Sequence, residues 1–343
     1  MDFYKILKKV QSIKSHRVKF LGLWVFNVLN KRHLNVQFDP VLACNFKCKM
    51  CYFTDPEALK KLKGIFKKEE LEIVAKTIFK NTLKLQIGCG AEPTLFKHNL
   101  EIIQLAKKYN IPYLSMVTNG NLLTKESIKS FATNGLNEFI LSMHGVKKET
   151  YENFMDKGSY DKFHEILSYI NTEKNSNPNL QLRINYTFNK DNFLELKDFF
   201  ECFGKYNINT IQLRPIDKIG NTAYSSYDLS SIESEYNEVI SNLLNEAKTK
   251  GINFIAPTSI KRVSEDKNPV DNKNNSSYLI PFVNCYVSPD FFWKSNFNWK
   301  EQTYKQWKKE NNWHYKIFKN IFISKHKLSK INRNLLNYNV DLN

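Results

Sequence analysis

Long apolar runs are missing from this sequence. The densest stretch, Phe20–Leu29, covers half of the roughly twenty apolar residues that a membrane-crossing helix needs. No small-residue cleavage site follows it, so it does not read as a secretory signal either. Cysteine is scarce, with six in 343 residues, and three of these fall at Cys44, Cys48 and Cys51. That crowding excludes a disulfide framework and predicts a reducing, cytoplasmic setting. Acidic residues are nearly absent from the two ends. Residues 1–34 carry +7 and residues 291–343 carry +8 of the total +17, leaving +2 for everything between. Internal repeats are also absent. A near-neutral middle with two basic ends predicts an anionic partner, namely a peptide, a phosphorylated glycan carrier, RNA or a membrane surface. Solvated lysine-rich faces are the plain alternative.

What is present is an alternation of strand and helix patterns. Residues 3–30 read as a helix expected to pack against the barrel, with a peripheral membrane contact through residues 18–32 as the lesser option. Six β-then-α units follow. Their strands are expected at 35–42, 83–87, 113–117, 138–142, 182–187 and 210–214, with helices at 68–79, 98–109, 125–133, 162–170, 193–203 and 229–250. A short strand at 252–256 is a further option. Such a series predicts a parallel α/β sheet with right-handed crossovers, curled into a partial (β/α)6 TIM-type barrel. Its site should lie at the C-terminal strand ends. The organisation expected is an N-terminal helical segment (1–33), the barrel (34–260), a polar linker (261–280) and a basic, aromatic, mostly helical tail (281–343). Aromatics and lysines interleave in that tail from Phe291, Phe292, Trp293 and Lys294 onward. The pattern suits either a cover over the barrel or a base-stacking surface.

The chemistry concentrates in Cys44-Asn45-Phe46-Lys47-Cys48-Lys49-Met50-Cys51. Thiolates are soft ligands, and so short a loop can wrap three of them around one metal centre. Three protein ligands on a four-iron cube leave one iron open. A structural zinc completed by Cys89, in a non-catalytic basic RNA-binding protein, is the alternative from another class.

This spacing resembles that of the radical S-adenosylmethionine (radical SAM) enzymes. The resemblance extends over roughly residues 36–220. It implies one 4Fe–4S cluster on Cys44, Cys48 and Cys51, with SAM chelating the fourth iron. Gly90-Ala91-Glu92-Pro93 is similar to the family's Gly-Gly-Glu-Pro motif, which contacts the SAM amino group; Ala91 replaces the second glycine. Thr118-Asn119-Gly120 matches a pocket-lining turn, and Ser142 stands where relatives bond the SAM carboxylate. Asn185 resembles a residue that meets the ribose or carboxylate. At Leu213, and on to Gly220-Asn221, relatives hold the adenine through backbone. Arg183 or Arg214 is expected to pair an anionic group, with the inward-facing one left open. The implied activity is reductive cleavage of SAM and hydrogen abstraction, fed by a donor such as flavodoxin or ferredoxin. A peptide or protein side chain is the favoured substrate, then a saccharide or lipid-linked precursor, then RNA.

His144 and Cys285 are the candidate catalytic residues, as a substrate acid/base and a hydrogen-atom donor; a pocket-wall histidine and a buried structural cysteine are their plain readings. The tail resembles the SPASM or twitch extensions of peptide-modifying members. After Cys89, however, only Cys202 and Cys285 remain, too few for an auxiliary four-thiolate cluster.

Overall fold

A computed structural model of the chain describes residues 3–216, 221–224, 228–260, 277–290, 297–324, 327–328 and 338–342. Seven strands run in chain order and pair side by side in parallel: β1 (Leu34–Phe38), β2 (Thr82–Ile87), β3 (Tyr113–Thr118), β4 (Glu138–Met143), β5 (Gln181–Phe188), β6 (Thr210–Pro215) and β7 (Asn253–Pro257). Two more come from the C-terminal segment. β8 (Asn284–Val287) lies parallel to β1, and β9 (Tyr338–Asp341) lies antiparallel to β7. The sheet is therefore an open, mostly parallel barrel fragment in the order β8-β1-β2-β3-β4-β5-β6-β7-β9.

Each strand turns alternate residues to opposite faces. Leu85, Leu114, Phe139, Ile184 and Ile211 point outward and are almost fully buried under helices. Those helices are α4 (Lys68–Ile78), α5 (Asn99–Lys108), α6 (Lys125–Thr133), α7 (Lys148–Phe154), α8 (Tyr160–Ser176), α9 (Phe199–Phe203) and α10 (Glu233–Thr249). A further short helix, α3 (Pro56–Lys61), follows the cysteine loop, with Asp55 capping it through a bond from the Glu57 N–H. In the segment after β7, α11 (Ile280–Val283) precedes β8, and α12 (Tyr304–Glu310) and α13 (Trp313–Ile321) follow it.

The N-terminal segment departs from the single helix expected over 3–30. It is two helices, α1 (Phe3–Ser12) and α2 (His16–Val28). The break falls where Ser12 turns its hydroxyl back to the Lys9 carbonyl and Ser15 takes the extended N-cap conformation. It sends the two helices to different places. α1 lies under the barrel, where Tyr4 donates a hydrogen bond to Glu138 and accepts one from Arg183 at 3.3 Å. Lys84 completes this floor, 3.8 Å from Glu138 and 4.7 Å from the Phe3 ring centre. Burial pulls the Lys84 ammonium down to about pKa 8 against the attraction of Glu138. α2 instead packs on α13, around Phe20, Leu23, Ile317 and Leu328.

Two other expectations need adjusting. The helix expected over 193–203 is a 3-10 turn (Leu194–Asp198) followed by the short α9. The tail is not only helical, because it contributes β8 to one edge of the sheet. Residues 261–276 of the expected linker and Phe291, Phe292, Trp293 and Lys294 of the aromatic tail lie outside the described residues.

Candidate radical site at the C-terminal strand ends

The cysteine loop leaves β1 through Asp39 and Pro40 and is held by backbone bonds rather than by packing alone. The Lys47 and Lys49 N–H groups donate to the carbonyls of Asp156 and Phe154, each at 3.0 Å. The Cys51 N–H donates to Cys48 O at 2.9 Å. Cys44, Cys48 and Cys51 are free thiols, partly open. Burial pushes all three up, Cys44 to about 12, and the charges of the neighbouring cysteines add to the rise at Cys44 and Cys48. A cationic centre between the three thiols would relieve both effects at once. Among the described residues, no three His, Cys, Asp or Glu side chains converge as ligands of one ion. Thiols bound to separate corners of a cube stand farther apart than ligands of a single ion. Three soft thiols on one loop, near enough for their charges to act on one another, are a donor set that fits an iron–sulfur cluster.

Beside this loop opens a cavity of about 530 Å³, walled by the C-terminal ends of β1, β3, β4, β5, β6 and β8. Cys51, Gly90, Ser142, His144 and Asn185 line it, as does Arg214. Arg214 thus faces the cavity. Arg183 stays at the floor, where its Nε donates to Asn185 Oδ1 at 2.9 Å. That bond occupies the Asn185 oxygen and leaves its amide N–H groups to face a ligand. Ser142 and Asn185 are direct partners in the β4–β5 register, so their polar groups stand side by side.

Other residues singled out in the sequence act from behind the wall. Glu92 is 3% exposed. Its Oε1 accepts from the Thr94 N–H at 3.1 Å and hydroxyl at 2.5 Å and from the Thr118 hydroxyl at 2.6 Å, and its Oε2 accepts from the Asn119 N–H at 2.8 Å. It braces three loops, since its own N–H donates to Ala43 O and Asn119 Nδ2 donates to Asn45 Oδ1. Burial raises the Glu92 pKa despite these four donors. Ala91 and Pro93 belong to the same turn. Gly88, just before it, has φ +83°, and a Cβ there would sit 2.3 Å from Val117 O, so the turn closes only with glycine. The Leu213 side chain points outward into the core, which leaves only its backbone near the cavity.

Cys285 does not reach the cavity. It pairs with Val36 across β1–β8, on the outward face, and is buried in the core under the helices. This corrects the expectation of a hydrogen-atom donor, since strand alternation puts Tyr286, not Cys285, in the wall.

Sequence reading passed over several residues of the site. Asp39 is fully buried and takes the N–H groups of Cys89 (2.6 Å) and Gly90 (2.9 Å) and the Tyr286 hydroxyl (2.7 Å). It ties the end of β1, the glycine turn and β8 together. Tyr52 donates to the Gly90 carbonyl and lines the cavity with Gln37, Met50 and Thr187. The alternation of Asn35, Gln37 and Asp39 was the available signal for an inward polar row on β1. Cys89 opens to the cavity and donates to Gln37 Oε1 at 3.4 Å. Its environment is set by burial, Asp39 and Arg214, and not by the other three thiols.

His144 sits in the wall with its Nδ1 lacking a partner, and burial lowers its pKa from 6.5 to about 4. His33, buried at the entry to β1, is lowered equally. The unfolded chain therefore takes up protons at these residues first as pH falls. The stability from keeping them neutral is complete above about pH 6.5 and is lost on descending from there toward pH 4. The loss should be on the order of a few kcal/mol for the metal-free protein. Urea midpoints across that window should fall more steeply for wild type than for a His33→Gln, His144→Gln variant. Buried carboxyls such as Asp39 act in the opposite direction but are common to both proteins.

Comparison with known proteins agrees with this geometry. The family model "Radical SAM superfamily" matches residues 40–198. A probable GTP 3',8-cyclase from Saccharolobus solfataricus is 32% identical over 207 residues, covering 58% of this chain and 63% of that protein. A second, from Sulfurisphaera tokodaii, is 27% identical over 194 residues, covering 56% of this chain and 59% of the other. The chain thus spans less than two thirds of these relatives. Among solved structures, native anSMEcpe with bound AdoMet and Cp18Cys peptide aligns over 85% of both chains with a TM-score of 0.57 at 18% identity. Streptococcus suis SuiB bound to S-adenosylmethionine aligns over 66% of this chain and 50% of its own with a TM-score of 0.52 at 14% identity. These likenesses establish the fold. No helix among the described residues is long and apolar enough to cross a membrane. The match to the radical SAM model thus begins after β1, just ahead of the cysteine loop, and runs on through β2, β3, β4 and β5.

Proposed function

We propose that this chain is a radical SAM enzyme that holds one 4Fe–4S cluster on Cys44, Cys48 and Cys51, binds SAM in the adjoining cavity, and abstracts a hydrogen atom from a substrate at the cavity mouth. Cluster and SAM, when bound, supply the electron transfer that yields a 5′-deoxyadenosyl radical. The observation that carries the reading is the meeting of Cys51, Gly90, Ser142 and Asn185 around one cavity at the C-terminal strand ends.

The remaining work falls to the protein. Asp39 and Glu92 fix the glycine turn, so the Gly90 backbone approaches the ligand without rearrangement. Ser142 and the Asn185 amide offer hydrogen bonds to a carboxylate or ribose, and Arg214 offers a cation to an anionic group. His144, neutral near pH 7, contributes a hydrogen-bonding ring without a charge. Tyr4, Lys84, Glu138 and Arg183 close the floor and keep water from entering below.

A peptide or protein side chain is the favoured substrate, because a peptide complex of anSMEcpe shares the fold over most of this chain. A nucleotide is the second reading. It rests on the names of the curated relatives and on Arg214, the only charged side chain in the cavity wall among the described residues. An electron donor of the flavodoxin or ferredoxin type completes the scheme.

The test is anaerobic reconstitution with iron and sulfide, reduction by dithionite, and chromatography for 5′-deoxyadenosine. Product scaling with bound iron is expected, and whichever of GTP or a peptide mixture raises the rate and gains a new mass identifies the substrate class. A colourless protein loaded with one zinc and forming no 5′-deoxyadenosine would overturn the reading.

A further inference from the structure

Helix α2 is seated with its polar residues inside. Its buried positions include His16, Lys19 and Asn27 beside Phe20 and Leu23. Its outward face carries Val18, Leu21, Val25 and Leu29, which are 52%, 48%, 36% and 59% exposed. A helix lying on a domain in water shows the reverse arrangement. Gly22, on the same face, has nothing within 4 Å of where a Cβ would stand.

The neighbouring α13 continues this surface. Tyr315, Phe318 and Phe322, at its end, are 65%, 42% and 68% exposed. The ring of Trp24 lies 5.5 Å from Phe318, and Phe318 lies 5.3 Å from Phe322. Aromatic contacts therefore join the two helices into one apolar face, larger than isolated surface hydrophobics would give. Its rim is basic, with Lys14, Arg17, Lys31, Lys316 and Lys319 all exposed. No Asp or Glu occurs anywhere in residues 3–38 or 311–340.

We propose that the α2–α13 face docks this protein onto an anionic lipid bilayer, with its aliphatic and aromatic side chains in the headgroup–acyl boundary and its lysines and arginines among the headgroups. The chemistry favours this occupant over others. At 13 residues α2 is too short to span a bilayer, so it lies in the interface plane. An exposed Tyr315 and a half-buried Trp24 beside Lys and Arg suit that depth. RNA would find stacking platforms mainly on the α13 side, while the α2 side offers it mostly aliphatic side chains. A second copy would bring two basic rims together with no acidic residue to offset them. The docking does not depend on the reaction proposed above.

Flotation of the full chain with vesicles of phosphatidylcholine and phosphatidylglycerol in equal parts tests this, with pure phosphatidylcholine vesicles in parallel. The bound fraction is expected to drop about tenfold on the neutral vesicles. A similar loss is expected for Leu21→Ser with Val25→Ser, and for Arg17→Glu with Lys319→Glu. These sites are exposed, so unchanged melting by circular dichroism will show that both variants fold. Wild type that floats with neither vesicle, or variants that float like wild type, would overturn the proposal. So would a wild-type dimer that both variants dissolve without any vesicle binding, or retention on a single-stranded oligoribonucleotide alone.

Discussion

Cys48→Ala is expected to strip the reconstituted protein of its iron and of all SAM-dependent 5′-deoxyadenosine. The effect should exceed the ~10–100-fold that loss of an outer partner of a metal ligand costs, because here a ligand itself goes. Cys48 sits in the middle of the loop, its thiol raised well above the ordinary range by burial and by Cys44 and Cys51. Removing it leaves two thiols, which cannot hold three corners of a cube. Cys89→Ala is the informative companion. Its thiol bonds to Gln37 and is electrostatically separate from the other three, so this variant should keep its iron. If instead Cys89→Ala loses metal as completely as Cys48→Ala does, the four cysteines act as one site. The zinc reading then regains its place. Iron content, visible absorption and product chromatography, measured on the same samples, separate the outcomes.

Glu92→Ala is expected to lower stability by about 3–5 kcal/mol, besides weakening SAM binding. The substitution strands the Thr94 and Asn119 N–H groups and the Thr94 and Thr118 hydroxyls in a buried place. Glu92→Gln keeps one acceptor but turns an amide toward existing donors, so it should fall between. The outcome discriminates between two roles. A carboxylate that only met the SAM ammonium could be removed with little change in the urea midpoint and a large change in SAM affinity. A brace shows both losses together. The geometry favours the brace, since the motif turns its glycine and not its acid to the cavity.

The central strands were legible because each is a short apolar run between turn residues, and six such runs in series leave few topologies open. Ser142 and Asn185 are singled out by the resemblance, and strand alternation accounts for their both lying in the cavity wall. What remained hidden depends on distant pairing. The contact of Asp39 with Tyr286 spans 247 positions, and nothing local in Asn284-Cys285-Tyr286-Val287 marks it as an edge strand. The same register decides that Cys285 looks away from the cavity. The break between α1 and α2 was masked by apolar residues on both sides, which sustain a helical period across Ser12 and Ser15. Which side of α2 faces the protein was equally unreadable, because Phe20–Leu29 is apolar almost all round.

The barrel floor bears on the order in which the molecule is assembled. Lys8 on α1 donates to the carbonyl of Leu342, 334 positions away, and Tyr4, Tyr113, Ile255 and Leu342 form one small cluster there. During synthesis the cysteine loop and the first six strands leave the ribosome long before β9 does. The nascent barrel must therefore wait, open at its base, until residues near 340 arrive to pair with β7 and meet α1. Contacts of such sequence separation are slow to form, and an unpaired β7 edge invites association with other chains meanwhile. Slow release from chaperones and sensitivity to deletion of residues 338–342 are the behaviour such a closure produces.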